Sequence, residues 1–183
     1  MKIEGTHVLK ARRDRIWSLL TDPVVLARCI PGCEKLEATG DDVYETVLRV
    51  GIASIKGVYS GKVKMEDKQP PAHYKLMVEG KGAQGFVKGV GTIDLEEREG
   101  ETLVSYKGDV QVGGTIASVG QRMLQGAARM MVAQFFTAME AEAVALPTEP
   151  PPKHNFFRIA LRVISGLLKR LFVRKRGPAQ TGN

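Results

Sequence analysis

Apolar and polar residues alternate with period two along most of residues 34–113, and the spacing then turns helical. Ahead of that stretch, residues 3–9 read as one strand. Asp14 is placed to cap a short helix over Ile16, Trp17, Leu19 and Leu20 that stops near Asp22-Pro23. Residues 24–29 make a second short helix, ended by Ile30-Pro31-Gly32. Five or six alternating runs follow, separated by turn clusters at Gly40-Asp41-Asp42, 67–72, 80–85 and 98–101, the pattern of an antiparallel meander. Residues 115–144 contain no proline and read as one long helix. The order predicts an α+β fold, with a curved antiparallel sheet packed around the C-terminal helix.

Lysines set the faces of the strands. In residues 55–65, Lys56, Lys62 and Lys64 must face water, which turns Ile55, Gly57, Tyr59, Gly61, Val63 and Met65 inward. The same argument from Lys75 turns Tyr74, Leu76 and Val78 inward, and from Lys88 it turns Val87, Gly89, Gly91, Ile93 and Leu95 inward. Lys107 and Asp109 outward put Val104, Tyr106, Gly108, Val110 and Val112 on the core side. On the helix, Ile116, Gly120, Met123, Ala127, Met130, Met131, Gln134, Ala138 and Ala141 are expected to share the buried face, with Arg122, Gln125 and Arg129 opposite.

Glycine thus recurs on the inward side of the sheet, and small residues and methionines on the helix. Two packings are compatible with this. The glycines let the layers approach and leave a solid core, or the missing side chains leave an apolar cavity for a hydrophobic ligand. In the second case the expected lining is Trp17, Tyr59, Leu76, Val78, Gly89, Gly91, Tyr106, Gly108, Met123, Ala127, Met130, Met131 and Gln134. Gln134, the lone amide on that helix face, is available to a ligand carbonyl.

Beyond the helix the texture changes again. Pro147, Pro150, Pro151 and Pro152 mark residues 146–155 as a semi-rigid spacer. Residues 156–176 project as an amphipathic helix, with Phe157, Leu161, Ile164, Leu167, Leu168, Leu171 and Phe172 on one side after Phe156. Arg158, Arg162, Lys169 and Lys175 lie on the other side, Arg170 and Arg174 near the boundary, and Arg176 at the end. Residues 177–183 are expected to be a disordered terminus.

Charge sharpens this picture. The chain carries +7 overall, but residues 1–152 hold 19 Lys+Arg and all 20 Asp+Glu, a net of −1. Residues 153–183 hold the other 8 Lys+Arg and no acid, a net of +8. A cationic, amphipathic segment of this kind suits the interface of an anionic membrane. Each Lys or Arg near such a leaflet contributes about 1 kcal/mol, against about 1–2 kcal/mol per residue to order the segment, so binding is expected to be reversible. The same amphipathicity would suit a groove on a partner protein. A nucleic-acid arm would not need a continuous Phe/Leu/Ile face, so no nucleic-acid partner is expected.

Candidate chemistry is sparse. Gly80-Lys81-Gly82-Ala83-Gln84-Gly85 matches G-x-G-x-x-G, but the following residues read as strand where a dinucleotide site needs a helix, so a glycine-rich hairpin is expected. There is no G-x-S-x-G, and His7, His73 and His154 are scattered. Cys29 and Cys33 lack the further ligands of a zinc site and are expected as buried or half-buried free thiols, which fits a reducing compartment. Asp14, Asp22, Glu66 and Asp67 fall at element ends, in capping and turn positions. No secretory leader and no run long enough to span a bilayer is read in the sequence, so the expected location is cytoplasmic and membrane-peripheral.

The β-α-α-meander-α order resembles the helix-grip (START, SRPBCC) superfamily, whose members hold hydrophobic ligands between sheet and helix. More narrowly, several segments look like the CoxG family of carbon monoxide dehydrogenase subunits. They are Asp22-Pro23, Ile30-Pro31-Gly32-Cys33-Glu34, Tyr59-Ser60-Gly61, the segment 80–91 with Thr92-Ile93-Asp94, and Gly113-Gly114 leading into 116–123. That resemblance covers residues 1 to about 145 and implies a non-enzymatic accessory protein. It implies a respiratory quinone in the apolar cavity, no covalent cofactor, and a molybdenum hydroxylase such as carbon monoxide dehydrogenase as partner at the membrane. The alternatives are a recruitment adaptor without a ligand, and a small helix-grip enzyme acting on an apolar substrate.

Overall fold

The computed structural model of the protein describes residues 1–52 and 55–145. The expected spacer, amphipathic segment and terminus at 146–183 lie outside the described residues. In chain order come β1 (Lys2–Leu9), α1 (Arg13–Leu20) and α2 (Pro23–Cys29), then six strands. These are β2 (Cys33–Gly40), β3 (Val43–Ile52), β4 (Ile55–Gln69), β5 (His73–Gly82), β6 (Gly85–Arg98) and β7 (Glu101–Gly113). A 3-10 turn, Thr115–Val119, leads into α3 (Gln121–Val144).

The strands form one antiparallel sheet in the order β1-β7-β6-β5-β4-β3-β2. β2 to β7 are a continuous meander, and β1 closes the far edge against β7. The strand faces fall as the lysines predict: Ile55, Tyr59, Met65, Tyr74, Leu95 and Val104 are buried. The glycine-rich segment is a hairpin, Gly82 pairing with Gly85 across Ala83-Gln84.

Local chemistry explains the element ends. Asp22 Oδ1 accepts from the backbone N–H of Val24 at 2.8 Å and of Val25 at 3.4 Å, with Pro23 opening α2. Asp14 does not cap α1; it sits inside the first turn, where its carboxylate meets the positive end of the helix dipole. Gly32 takes φ +73°, and its carbonyl accepts from Arg49 N–H at 2.8 Å, stitching the Pro-Gly bend to β3. Gly120, at φ +90°, separates the 3-10 turn from α3, so residues 115–144 are two elements and not the single helix that their periodicity predicts.

The buried face of α3 differs from the expected one. Ala127, Phe136, Met139 and Ala143 are buried, with Leu124, Met131, Val132 and Phe135 partly so. Met123 is 42% and Met130 49% exposed, and Gln134 and Ala141 also face solvent. A stripe drawn through the small residues turns away from Phe135, Phe136 and Met139, whose larger apolar area decides the orientation.

The main core joins α1, α2 and the second half of α3 to the sheet through Leu9, Ile16, Leu19, Met65, Tyr74, Val104, Phe136 and Met139. Trp17 packs edge-on against Tyr74 (centroids 5.6 Å), and His7 stacks on Phe136 (4.7 Å). Arg28 and Glu142 form a bidentate pair at 2.8 and 2.9 Å that ties α2 to the end of α3. A second cluster, Ile55, Tyr59, Ile116 and Ala127, closes the other end.

Candidate ligand cavity

At the second cluster the layers separate. A cavity of about 280 Å³ lies between sheet and helix, bounded by Ile3, Leu48, Val50, Ile55, Tyr59, Val78, Val87, Val110 and Val112 from the strands. Ile116, Leu124, Ala127, Ala128 and Met131 form its roof. Residues from the edge strand β1 and from β3, near the opposite edge, line the same space, so the sheet must curl around it.

Its origin is legible in the residues. Gly61 pairs with Gly80 on the floor, where two adjacent strands carry no side chain. Facing them from α3 are Ala127 and Ala128. Gly61 is irreplaceable for a second reason: a Cβ there would collide with the carbonyl oxygen of Glu79. Where Met65, Tyr74 and Val104 replace glycine, the same two layers meet in a solid core. The two packings open in the sequence therefore occur in one molecule, at opposite ends.

Of the expected lining, Tyr59, Val78, Ala127 and Met131 meet at this cavity. Tyr106 and Met131 line a neighbouring hollow with Ile30, Ile93, Val132, Phe135 and Phe136. Met130 and Gln134 sit on an open groove with Pro31, Gly32, Arg49, Gly51 and Ile52. That groove shares Val50 and Met131 with the cavity and forms its mouth. Trp17 and Leu76 pack against the main core, Gly89, Gly91 and Gly108 floor the sheet outside the lining, and Met123 faces solvent. Thr46, Leu48 and Val50 join the lining without having been among the expected residues. Glu45 and Arg49, outward on β3, carry the parity signal that would have found them.

The lining holds few polar groups. Burial pushes the Tyr59 phenol up from its ordinary pKa. Glu79, the one acid on the wall among the described residues, pairs with Lys88 at 3.2 Å. Cys29 is buried, its thiol pushed up to about 11 by desolvation first, and Cys33 is half-buried; both are free. His73 Nδ1 lies 2.7 Å from Asp94 on the surface. No cluster able to hold a metal ion occurs among the described residues, and no helix among them is long and apolar enough to cross a membrane.

Known proteins place this architecture. A conserved protein from Geobacillus kaustophilus of known structure is 40% identical, with a TM-score of 0.76 over 78% of this chain and 95% of that one. A START superfamily protein from Mycobacterium smegmatis (15% identity, TM-score 0.60, covering 78% and 96%) shares the helix-grip fold. So does the Zhui aromatase/cyclase from Streptomyces sp. R1128 (16%, 0.58, 78% and 93%). No curated protein matches the chain. The family model for the CoxG subunit of carbon monoxide dehydrogenase matches residues 5–144, and the chain belongs to that CoxG family.

Proposed function

We propose that this protein is a non-enzymatic carrier and adaptor. It holds a hydrophobic molecule, a respiratory quinone such as menaquinone, between sheet and α3. It links a molybdenum carbon monoxide dehydrogenase-type enzyme to the inner face of the cytoplasmic membrane, and quinone passes between the two for electron transfer. The observation that carries this reading is the aliphatic cavity of about 280 Å³. That volume is near the lower end of the roughly 300–1,000 Å³ of ligand sites and suits a ring system. An isoprenoid chain would leave by the mouth beside Val50 and Met131.

The cationic tail supplies the membrane half of the proposal. Its +8 over residues 153–183, on a domain that is otherwise near neutral, favours an anionic leaflet. The cavity offers little to an enzyme reading, since Glu79 is ion-paired and no histidine lines the wall among the described residues. The test is transfer. Full-length protein is mixed with anionic vesicles carrying menaquinone, and the quinone recovered with soluble protein is measured. Saturation near one quinone per chain is expected; no protein-dependent extraction would count against the carrier.

A further inference from the structure

Five hydroxyls elsewhere in the described residues show the usual pairing. Thr21 and Thr137 donate one turn back in their helices at 2.8 and 2.9 Å, and Thr102 donates to Ala11 O at 2.7 Å. Thr115 donates to Gln84 O at 3.0 Å and Ser118 to Thr115 O at 2.7 Å. Two buried hydroxyls have no protein partner: Tyr59 Oη and Thr46 Oγ1. Both residues stand on the wall of the same cavity, and each is only 7% exposed. The other unpaired buried side-chain nitrogen, Arg13 Nε, belongs to α1 and is not on that wall.

The two hydroxyl residues are diagonal neighbours. Thr46 pairs with Gly61 and Leu48 with Tyr59, so both point to the inward face of adjacent strands. A buried hydroxyl without a partner carries the desolvation cost of the group, which Phe or Val of similar shape would avoid. Two such groups on one otherwise aliphatic wall are explained if a bound molecule supplies the acceptors.

Resting on the carrier reading, we infer that the β3–β4 wall recognises the oxygen-bearing end of the ligand. The ligand class is an apolar molecule carrying carbonyl oxygen, as opposed to a plain hydrocarbon. Tyr59 Oη and Thr46 Oγ1 donate to its oxygens, each reaching the lumen by rotation about its own side-chain bonds. Val78, Val87, Val110 and Leu124 accept the hydrocarbon body without preference for orientation, so the hydroxyls decide which end enters.

The experiment uses the delipidated full chain and two probes, 2,3-dimethyl-1,4-naphthoquinone and 2,3-dimethylnaphthalene. They share a ring system and differ in two carbonyl oxygens, and the quinone has no open ring position for thiol addition. Kd is measured for each by titration calorimetry. The ratio of hydrocarbon Kd to quinone Kd is expected to fall roughly tenfold in Tyr59→Phe and severalfold in Thr46→Val. Delipidated Tyr59→Phe is also expected to melt above the wild type, since it loses an unpaired buried group. A ratio unchanged in both variants, or wild-type binding of the hydrocarbon alone, overturns the inference and leaves the carrier reading standing. If the wild type binds neither probe, both fall together.

Discussion

The ring of Tyr59 lies across Gly82, its cross-strand partner, so closely that a methyl group at position 82 would stand 2.8 Å from Cδ1. Tyr106 lies on Gly5 and Phe86 on Gly113 in the same way, each pair directly opposed in the register. An aromatic ring on a cross-strand glycine covers backbone that the glycine leaves bare. At Tyr59 it also holds a large side chain flat against the sheet, which keeps the cavity open above Gly61 and Gly80.

Gly82→Ala is therefore expected to destabilise the domain by about 1–3 kcal/mol through overpacking. The new methyl also comes within 2.7 Å of the Val58 carbonyl oxygen, so turning Tyr59 aside does not relieve it. Chemical denaturation checks the cost, and a wild-type midpoint would contradict the packing described.

The buried face of α3 can be tested by one pair of substitutions. Met139 is fully buried, and Met139→Ala is expected to cost about 2–5 kcal/mol. Met130 is half exposed, and Met130→Ala is expected to stay within about 0.5 kcal/mol. The reverse order would restore the face projected from the small residues.

That pair also marks where the sequence stops being readable. Lysines at 56, 62, 64, 75, 88 and 107 expose the parity of their strands, because a charged side chain on the core side is too costly to occur unpaired. The aliphatic wall follows from them. On α3 no such marker settles the face: Arg122 and Arg129 exclude one arc but leave the rest open, and the choice falls to which large residues find a partner. Phe136 finds His7 and Tyr106 on strands more than a hundred and about thirty residues away in sequence. The unpaired hydroxyls of Thr46 and Tyr59 are equally hidden, since a missing hydrogen bond is a property of the packed structure alone.

Glu142 makes a pH prediction. Its hydrogen bond from Arg28 holds the carboxyl below the usual range, with burial opposing. A folded-state pKa below the unfolded one stabilises the fold above the unfolded pKa, and that contribution disappears as pH falls through the folded value. Glu142→Gln is expected to cost roughly 0.5–1 kcal/mol at neutral pH. The gap between variant and wild type should close on acidification below about pH 4, near the carboxylate range. Thermal melts from neutral pH down through that range check this; a gap that persists at the acid end would contradict it.

Deleting residues 153–183 removes a net charge of +8. Sedimentation with anionic vesicles is expected to lose this variant while retaining the full chain, and raised salt should weaken the full chain's binding. Circular dichroism should find the truncated domain folded. Undiminished vesicle binding by the truncation would contradict the tail's role as the membrane contact.

The central claim is that the cavity holds a hydrophobic cargo, and its most direct test is mass spectrometry of the organic extract of the full chain purified from its native host. The account predicts a lipophilic, carbonyl-bearing molecule, an isoprenoid quinone foremost, at close to one per chain. Its yield should drop in Gly80→Leu, where a side chain enters open space on the cavity floor. An extract without such a molecule, together with no binding of added menaquinone, would contradict the account.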